Sequence, residues 1–263
     1  MIAASGLRKV FNRSTATELV AIAGVDLAVA AGEFVAVIGG NGAGKSTLLN
    51  LLAGAYLCDE GTIVIDGTDV TRTPEHVRAA WVARIFQDPM LGTAAALTVE
   101  ENLTLALMRA QGRSLRPALT AGRRTRFRES LNGLHLGLEE RLGAIVGTLS
   151  GGQRQALALA MATLVPPKLL LLDEHTAALD PRTSELVMEA TVGIVAKAGL
   201  TTLMVTHNME HALRFASRIV MMDGGRVVAD IGSAEKAGLG VGDLIERFRI
   251  RDDRIVLRQA KRA

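Results

Sequence analysis

Apolar runs bounded by glycine and turn residues divide this chain into elements. Phe34-Val35-Ala36-Val37-Ile38 is continuous in apolar residues and ends in glycines, the pattern of a strand buried on both faces that delivers its end to a ligand. Leu169-Leu170-Leu171-Leu172 repeats the pattern, and Thr201 to Val205, Ile219 to Met222 and Val227 to Ala229 carry further strand signals. Thr62-Ile63-Val64-Ile65 ahead of Asp66-Gly67 reads as a strand and turn. Residues 1 to 33 read as short strands of an antiparallel flanking sheet, with turn signals at Gly24-Val25-Asp26 and Ala31-Gly32-Glu33 around the apolar Val20 to Val29. A helix runs from Ser46 to Ala53 and stops at Gly54. From about Asp88 to Gly147 the character shifts to helix-favouring Leu, Ala, Arg and Glu, which predicts a helical subdomain inserted into an α/β core.

The expected organisation is a core over residues 1–230, with the insert at about 88–147, and a helical, basic tail over 231–263 whose last stretch, Glu246 to Ala263, frays. No internal repeat stands out. With 263 residues, 49% of them hydrophobic, the chain holds one sizeable core, so disorder throughout is excluded. A net charge of only +3 gives no support to wholesale nucleic-acid binding. The single cysteine, Cys58, provides no disulfide framework and fits a reducing compartment. Neither a signal peptide nor an uninterrupted apolar run of membrane-spanning length is expected, so any membrane role needs another chain for the crossing.

Gly39-Gly40-Asn41-Gly42-Ala43-Gly44-Lys45-Ser46 fits the pattern Gly, four residues, Gly-Lys-Ser, between a strand and a helix as that motif requires. Its glycines let backbone N–H groups curl around a β-phosphate, Lys45 meets the β and γ oxygens, Ser46 ligates Mg²⁺, and Thr47 follows in the nucleotide-contacting set. The buried strand 169–172 carries Asp173 and Glu174 out at its carboxyl end, where open α/β sheets bind ligands. Asp173 can hold Mg²⁺ through water, while Glu174, pointing the other way on an extended chain, can polarise the water that attacks a γ-phosphate. Leu149-Ser150-Gly151-Gly152-Gln153 opens an apolar helix and supplies a second set of backbone donors suited to a phosphate. One chain thus carries two phosphate-binding surfaces.

With Ser150-Gly151-Gly152-Gln153 between the phosphate loop and the acidic strand end, the chain resembles the nucleotide-binding subunit of ATP-binding cassette transporters over nearly all of residues 5 to 230. The resemblance implies a P-loop NTPase core with a mixed, largely parallel sheet, and ATP and Mg²⁺ as cofactors. It further implies two cassettes, forming a homodimer or a similar pair, that sandwich two nucleotides head to tail, each signature binding the γ-phosphate held by the other subunit's loop. In Phe86-Gln87-Asp88-Pro89 the resemblance makes Gln87 the loop glutamine that contacts Mg²⁺ or the attacking water. It makes His207 the residue that contacts the γ-phosphate, and Asp180, in Ala177-Ala178-Leu179-Asp180, part of a loop crossing the dimer interface. Phe11 falls where an aromatic stacks on adenine, with a core phenylalanine as the alternative. His175 stands where proline is usual, which implies a less rigid loop.

The stretches 173–181 and 205–210 look like those of cassettes serving importers with branched-chain-amino-acid-type permeases. That implies an integral-membrane permease, a substrate-binding protein, a place on the cytoplasmic face of the cell membrane, and an amino acid or similar small polar solute as cargo. An exporter of lipid or peptide, or a soluble cassette ATPase of translation or DNA repair, is the alternative; the latter carry paired cassettes or coiled-coil insertions, and neither is visible in this sequence. Pro89 to Val99 is apolar and follows Gln87, so it is either a groove for a helix of the membrane partner or an ordinary core segment. The basic run Arg109, Arg113, Arg116, Arg123, Arg124, Arg126 and Arg128 reads as a solvated helical face or as a neighbour of anionic lipid headgroups.

Overall fold

In the computed structural model, the described residues are 1–109 and 118–247. The chain opens with β1 (Ile2–Phe11), β2 (Leu19–Val29) and β3 (Phe34–Gly39), then α1 (Lys45–Ala53), β4 (Glu60–Ile65), β5 (Thr68–Asp69), α2 (Glu75–Arg78) and β6 (Val82–Ile85). Three helices follow, α3 (Val99–Met108), α4 (Ala121–Asn132) and α5 (Gly151–Thr163). The remainder alternates as β7 (Leu169–Asp173), α6 (Pro181–Ala198), β8 (Thr201–Val205), α7 (Met209–Phe215), β9 (Arg218–Asp223), β10 (Arg226–Ile231) and α8 (Ser233–Lys236).

Two sheets form, an antiparallel one in the order β2-β1-β4-β5 and a mixed one in the order β10-β9-β3-β8-β7-β6. In the second sheet β6, β7, β8, β3 and β9 run parallel, and only β10 is antiparallel. Every residue of β3 and β8 is buried, so β3 reads as an apolar run up to its glycine and β8 carries no charge, its two opening threonines being buried as well. The two faces of β3 serve different cores. Phe34, Ala36 and Ile38 pack with α3, α5 and α6, whereas Val35 and Val37 pack with α1 and the inner face of the antiparallel sheet. The registers Val37↔Val205 and Asp173↔Val205 bring the carboxyl ends of β3, β8 and β7 level. The loops that leave those ends therefore meet at one edge of the sheet.

The N-terminal strands are longer than the short ones expected from sequence. The Gly24-Val25-Asp26 signal is no turn: β2 runs through it, and the register jumps from Leu7↔Val25 to Arg8↔Ala23. Gly24, at φ 85°, is the extra residue of a β-bulge, so its turn-like composition marks a kink inside a continuous strand. β6 carries no sequence signal of its own, being four residues with an arginine in the third position. It pairs with β7 through Val82↔Leu169, so α3 and α4 lie in an excursion between two neighbouring strands. Beyond Ile231 the chain gives α8 and a helical stretch over 241–247, and the tail from 248 onward lies outside the described residues.

One buried cation fixes the helix that follows the phosphate loop. Arg78 is fully buried, and its guanidinium donates to the carbonyls of Leu51 (2.6 Å) and Leu52 (3.1 Å) in the last turn of α1, and to Thr73 (2.9 Å) and Thr71 (3.2 Å). A cation at the negative end of the helix adds a partner to the carbonyls of its last turn, of which Leu51 also accepts from the Gly54 N–H at 3.3 Å.

Candidate functional site

A cleft of about 240 Å³ opens at the level strand ends, lined by Leu19 and Ala21 of β2, the loop from Asn41 through Thr47, Glu174 and His207. Gly44 precedes α1 at φ 98°, and a Cβ there would stand 2.6 Å from the carbonyl oxygen of Ala21, so both conformation and space demand glycine. The Lys45 ammonium donates to the carbonyls of Gly39 (2.8 Å) and Gly40 (2.9 Å), drawing the loop into a ring around the start of α1. Burial lowers the Lys45 pKa, and the carboxylates of Glu174 and Asp173 oppose that shift.

Glu174 adopts φ 47°, the left-handed region, rather than the extended continuation of β7 anticipated from sequence. Such a backbone costs a non-glycine residue about 1 kcal/mol or more. It is held by the Glu174 N–H donating to Val205 (3.0 Å) and by the Ala177 N–H returning to the Glu174 carbonyl (2.9 Å). The twist separates the two acids. Glu174 Oε1 lies 2.8 Å from His207 Nε2 at the cleft, while Asp173 Oδ2 accepts from Arg84 at 2.6 Å.

The other expected site residues lie outside this lining. Gln87 is exposed in the loop after β6. Phe11 packs edge-on against Tyr56 with ring centroids 5.3 Å apart, and it is its strand partner Leu19, 58% exposed, that faces the cleft. Sequence reasoning missed Leu19; pairing β1 with β2 in register would have found it. Ser150 caps α5, accepting from the Gln153 N–H at 3.3 Å, while the Gln153 carboxamide oxygen takes the Ser150 N–H, also at 3.3 Å. Asp180 caps α6 through the Thr183 N–H at 3.1 Å, and that bonding lowers its pKa. The starts of the two helices touch. A Cβ at Gly151 would meet Leu179 at 3.5 Å, and one at Gly152 would collide with the Thr183 methyl group. Gly152 is thus required by packing inside the chain as well as by any ligand.

His175 is not the loosening substitution that its sequence context suggested. It is 2% exposed, and its Nε2 lies 3.2 Å from Thr191 Oγ1. Because the Thr191 hydroxyl donates to the Val187 carbonyl (2.7 Å), its oxygen is left to accept from the imidazole Nε2. Burial, assisted by nearby His211, pushes its pKa down to about 4. With a folded pKa below the ordinary value of 6.5, the neutral form's stabilisation is present above that pH and is lost as pH falls toward 4. Between pH 7.5 and 5 the expected loss is about 2 kcal/mol. His175→Gln keeps a donor and cannot titrate, so the stability gap between wild type and variant should shrink by that amount at pH 5; a gap independent of pH in denaturant titrations rejects the assignment.

The stretch after Gln87 forms one wall of a second cleft of about 430 Å³, in which Pro89, Leu91 and Thr93 face Leu105 of α3 and Met161 of α5. Leu91 is 70% exposed and Leu105 52%. The basic run is largely engaged within the chain. Arg124 holds Glu100 through two bonds of 2.7 and 3.0 Å, Arg126 donates to Leu164 (2.9 Å) and Arg123 to Ala118 (2.6 Å). Arg113 and Arg116 lie outside the described residues. No helix among the described residues is long and apolar enough to cross a membrane.

Known proteins match this architecture along most of its length. The family described as ABC transporter matches residues 22–177. A tyrosine transport ATP-binding protein of Clostridioides difficile is 48% identical over 217 residues, 82% of this chain and 86% of its own. A methionine import ATP-binding protein of Caulobacter vibrioides is 38% identical, over 87% of this chain and 67% of its own. Among solved structures, the dimeric bacterial ABC transporter cassette MJ0796 is 30% identical with a TM-score of 0.76, covering 89% of this chain and 99% of that one. A phosphate loop, an acidic strand end and a Ser-Gly-Gly helix start in one sheet-edge arrangement, together with these matches, establish that the chain belongs to the ABC transporter family, as an ATP-binding and ATP-hydrolysing cassette.

Proposed function

We propose that the cleft at the strand ends is the half-site on which ATP is bound and hydrolysed, and that a second cassette completes it. The carrying observation is the Glu174–His207 pair at 2.8 Å, on the rim of the same cleft as Lys45 and Ser46. The cleft fits a triphosphate: its loop N–H groups, the start of α1 and the Lys45 ammonium are donors and positive charge, as phosphate oxygens require. Ser46 and Asp173 offer hard oxygen ligands suited to Mg²⁺. When bound, that ion would draw charge from the β- and γ-phosphates; Gln87 would reach it from the neighbouring loop. Glu174 takes the proton of the attacking water, and His207 orients Glu174 and contacts the γ-phosphate. The base is preset by the left-handed turn at residue 174. Leu19, with Phe11 behind it in the paired strand, offers an apolar surface beside the loop for the adenine.

Ser150, Gly151 and Gly152 point to the partner's nucleotide rather than to their own chain's. None of them lines the cleft, yet they form a capped helix start, 151–163, with Gly151 exposed. Asp180 sits beside them at the start of α6, in the same interface. The core spans 1–230, the helical insert about 88–147, and the residues from 231 on form an appended tail. The cleft walled by Leu91 and Leu105 receives a helix of an integral-membrane permease, which holds the cassette at the cytoplasmic face. The relatives named for tyrosine and methionine favour import of an amino acid delivered by a substrate-binding protein. Head-to-tail assembly is tested by mixing a Lys45→Ala chain with a Ser150→Arg chain. Each parent should be nearly inactive, and the mixture should regain ATPase activity through one intact site per heterodimer; no recovery with heterodimers formed overturns the shared-site reading.

A further inference from the structure

Arg84 lies in the third position of β6, a strand otherwise apolar, and its side chain is only 12% exposed. Its guanidinium forks between two elements of the site. One arm donates to Asp173 Oδ2 at 2.6 Å, and the other to Asn50 Oδ1 at 2.6 Å, in the helix that follows the phosphate loop. The central carbon of the fork lies 4.6 Å from the centroid of the Phe86 ring, one residue before Gln87. Its Nε is buried with no partner, so the side chain is held by its two forked bonds at a desolvation cost that a merely solvated arginine would avoid. Asp173 Oδ1 accepts no hydrogen bond from the described residues, which leaves that oxygen for a ligand. We propose that Arg84 is a positioning residue for the ATPase site: it fixes the Asp173 carboxylate relative to the phosphate-loop helix, so that one oxygen is held and the other is presented to the cation that arrives with ATP.

This inference rests on the assignment of Asp173 as a magnesium-holding residue. Two opposite effects must be weighed. The guanidinium charge repels a free divalent cation, which would make its loss favourable. The cation, however, arrives on ATP, whose phosphates outweigh its charge, so the repulsion is cancelled and the loss of orientation remains. Groups that orient a metal-holding residue typically matter by about 10–100-fold in metal affinity or activity.

The test compares Arg84→Met, Arg84→Lys and Asp173→Ala in the full chain, reading binding of a non-hydrolysable ATP analogue with magnesium and with EDTA, alongside kcat and KM. Arg84→Met is expected to lower kcat/KM for magnesium-ATP by about 10–100-fold, and to reduce the gain in analogue binding brought by magnesium by a similar factor. Arg84→Lys should recover part of both, since an ammonium reaches one of the two partners. If Asp173→Ala abolishes the magnesium gain but Arg84→Met leaves it intact, or if loss of activity follows loss of folded protein alone, Arg84 does not position the acid. If Asp173→Ala also leaves the gain intact, the assignment of Asp173 falls, and the role of Arg84 with it.

Discussion

Glu174→Gln should bind ATP as wild type does and hydrolyse it about 10²–10⁴-fold more slowly, the span typical for loss of a positioned general base. The carboxamide is isosteric and can still accept from His207 Nε2, now 2.8 Å from the carboxylate, so the geometry of the rim survives while its basicity goes. Nor should stability fall. The left-handed conformation at residue 174 is as strained for Gln as for Glu, and the backbone bonds to Val205 and Ala177 that hold it are untouched. Single-turnover hydrolysis measured beside analogue binding decides the matter. A kcat within about threefold of wild type would remove Glu174 from the role of base and direct attention to His207. Retained ATP with blocked turnover should also populate the closed pair of cassettes, visible as an ATP-dependent dimer by light scattering, because ATP favours the state in which its γ-phosphate has two sets of donors.

The parallel sheet was legible because its strands are buried on both faces: β3 and β7 leave no position for a polar residue until their ends, β8 admits only its two opening threonines, and where they end the chemistry starts. The phosphate loop and the Ser150 capping box are local motifs, fixed by a few successive residues. Features set by pairing across distant segments were not legible. Gly24 carries the same composition in a bulge as in a turn, and only the pairing of its neighbours, Val25 with Leu7 and Ala23 with Arg8, tells them apart. Leu19 looks like one exposed leucine among many until β1 places it opposite Phe11 beside the loop. Arg84 interrupts an apolar strand for a reason that lies on β7 and α1, at Asp173 and Asn50. His175 reads as a loop substitution, yet its neighbour Thr191 is sixteen residues away on α6, and that contact turns it into a buried, neutral structural group.

Lys45→Ala should cost most at the binding step. A charge-assisted contact to phosphate contributes about 1.5–3 kcal/mol, so ATP affinity is expected to fall by roughly 10–100-fold, and turnover by more, since charge on the γ-phosphate grows in the transition state. The ammonium also joins the carbonyls of Gly39 and Gly40, so alanine removes a brace of the loop together with the charge. Lys45→Met separates the two losses from mere packing, because it keeps the apolar stem that lies buried at 6% exposure while deleting charge and donors. If the charge is what matters, Lys45→Met and Lys45→Ala should be equally poor in ATP binding by calorimetry, with Lys45→Met the more stable fold. Near-normal ATP affinity in Lys45→Met would mean that the loop N–H groups and the start of α1 suffice to hold the triphosphate. The desolvation that lowers the lysine's pKa argues otherwise: an ammonium kept partly dry on the carbonyls of Gly39 and Gly40 is poised to gain more from an incoming phosphate than a solvated one could.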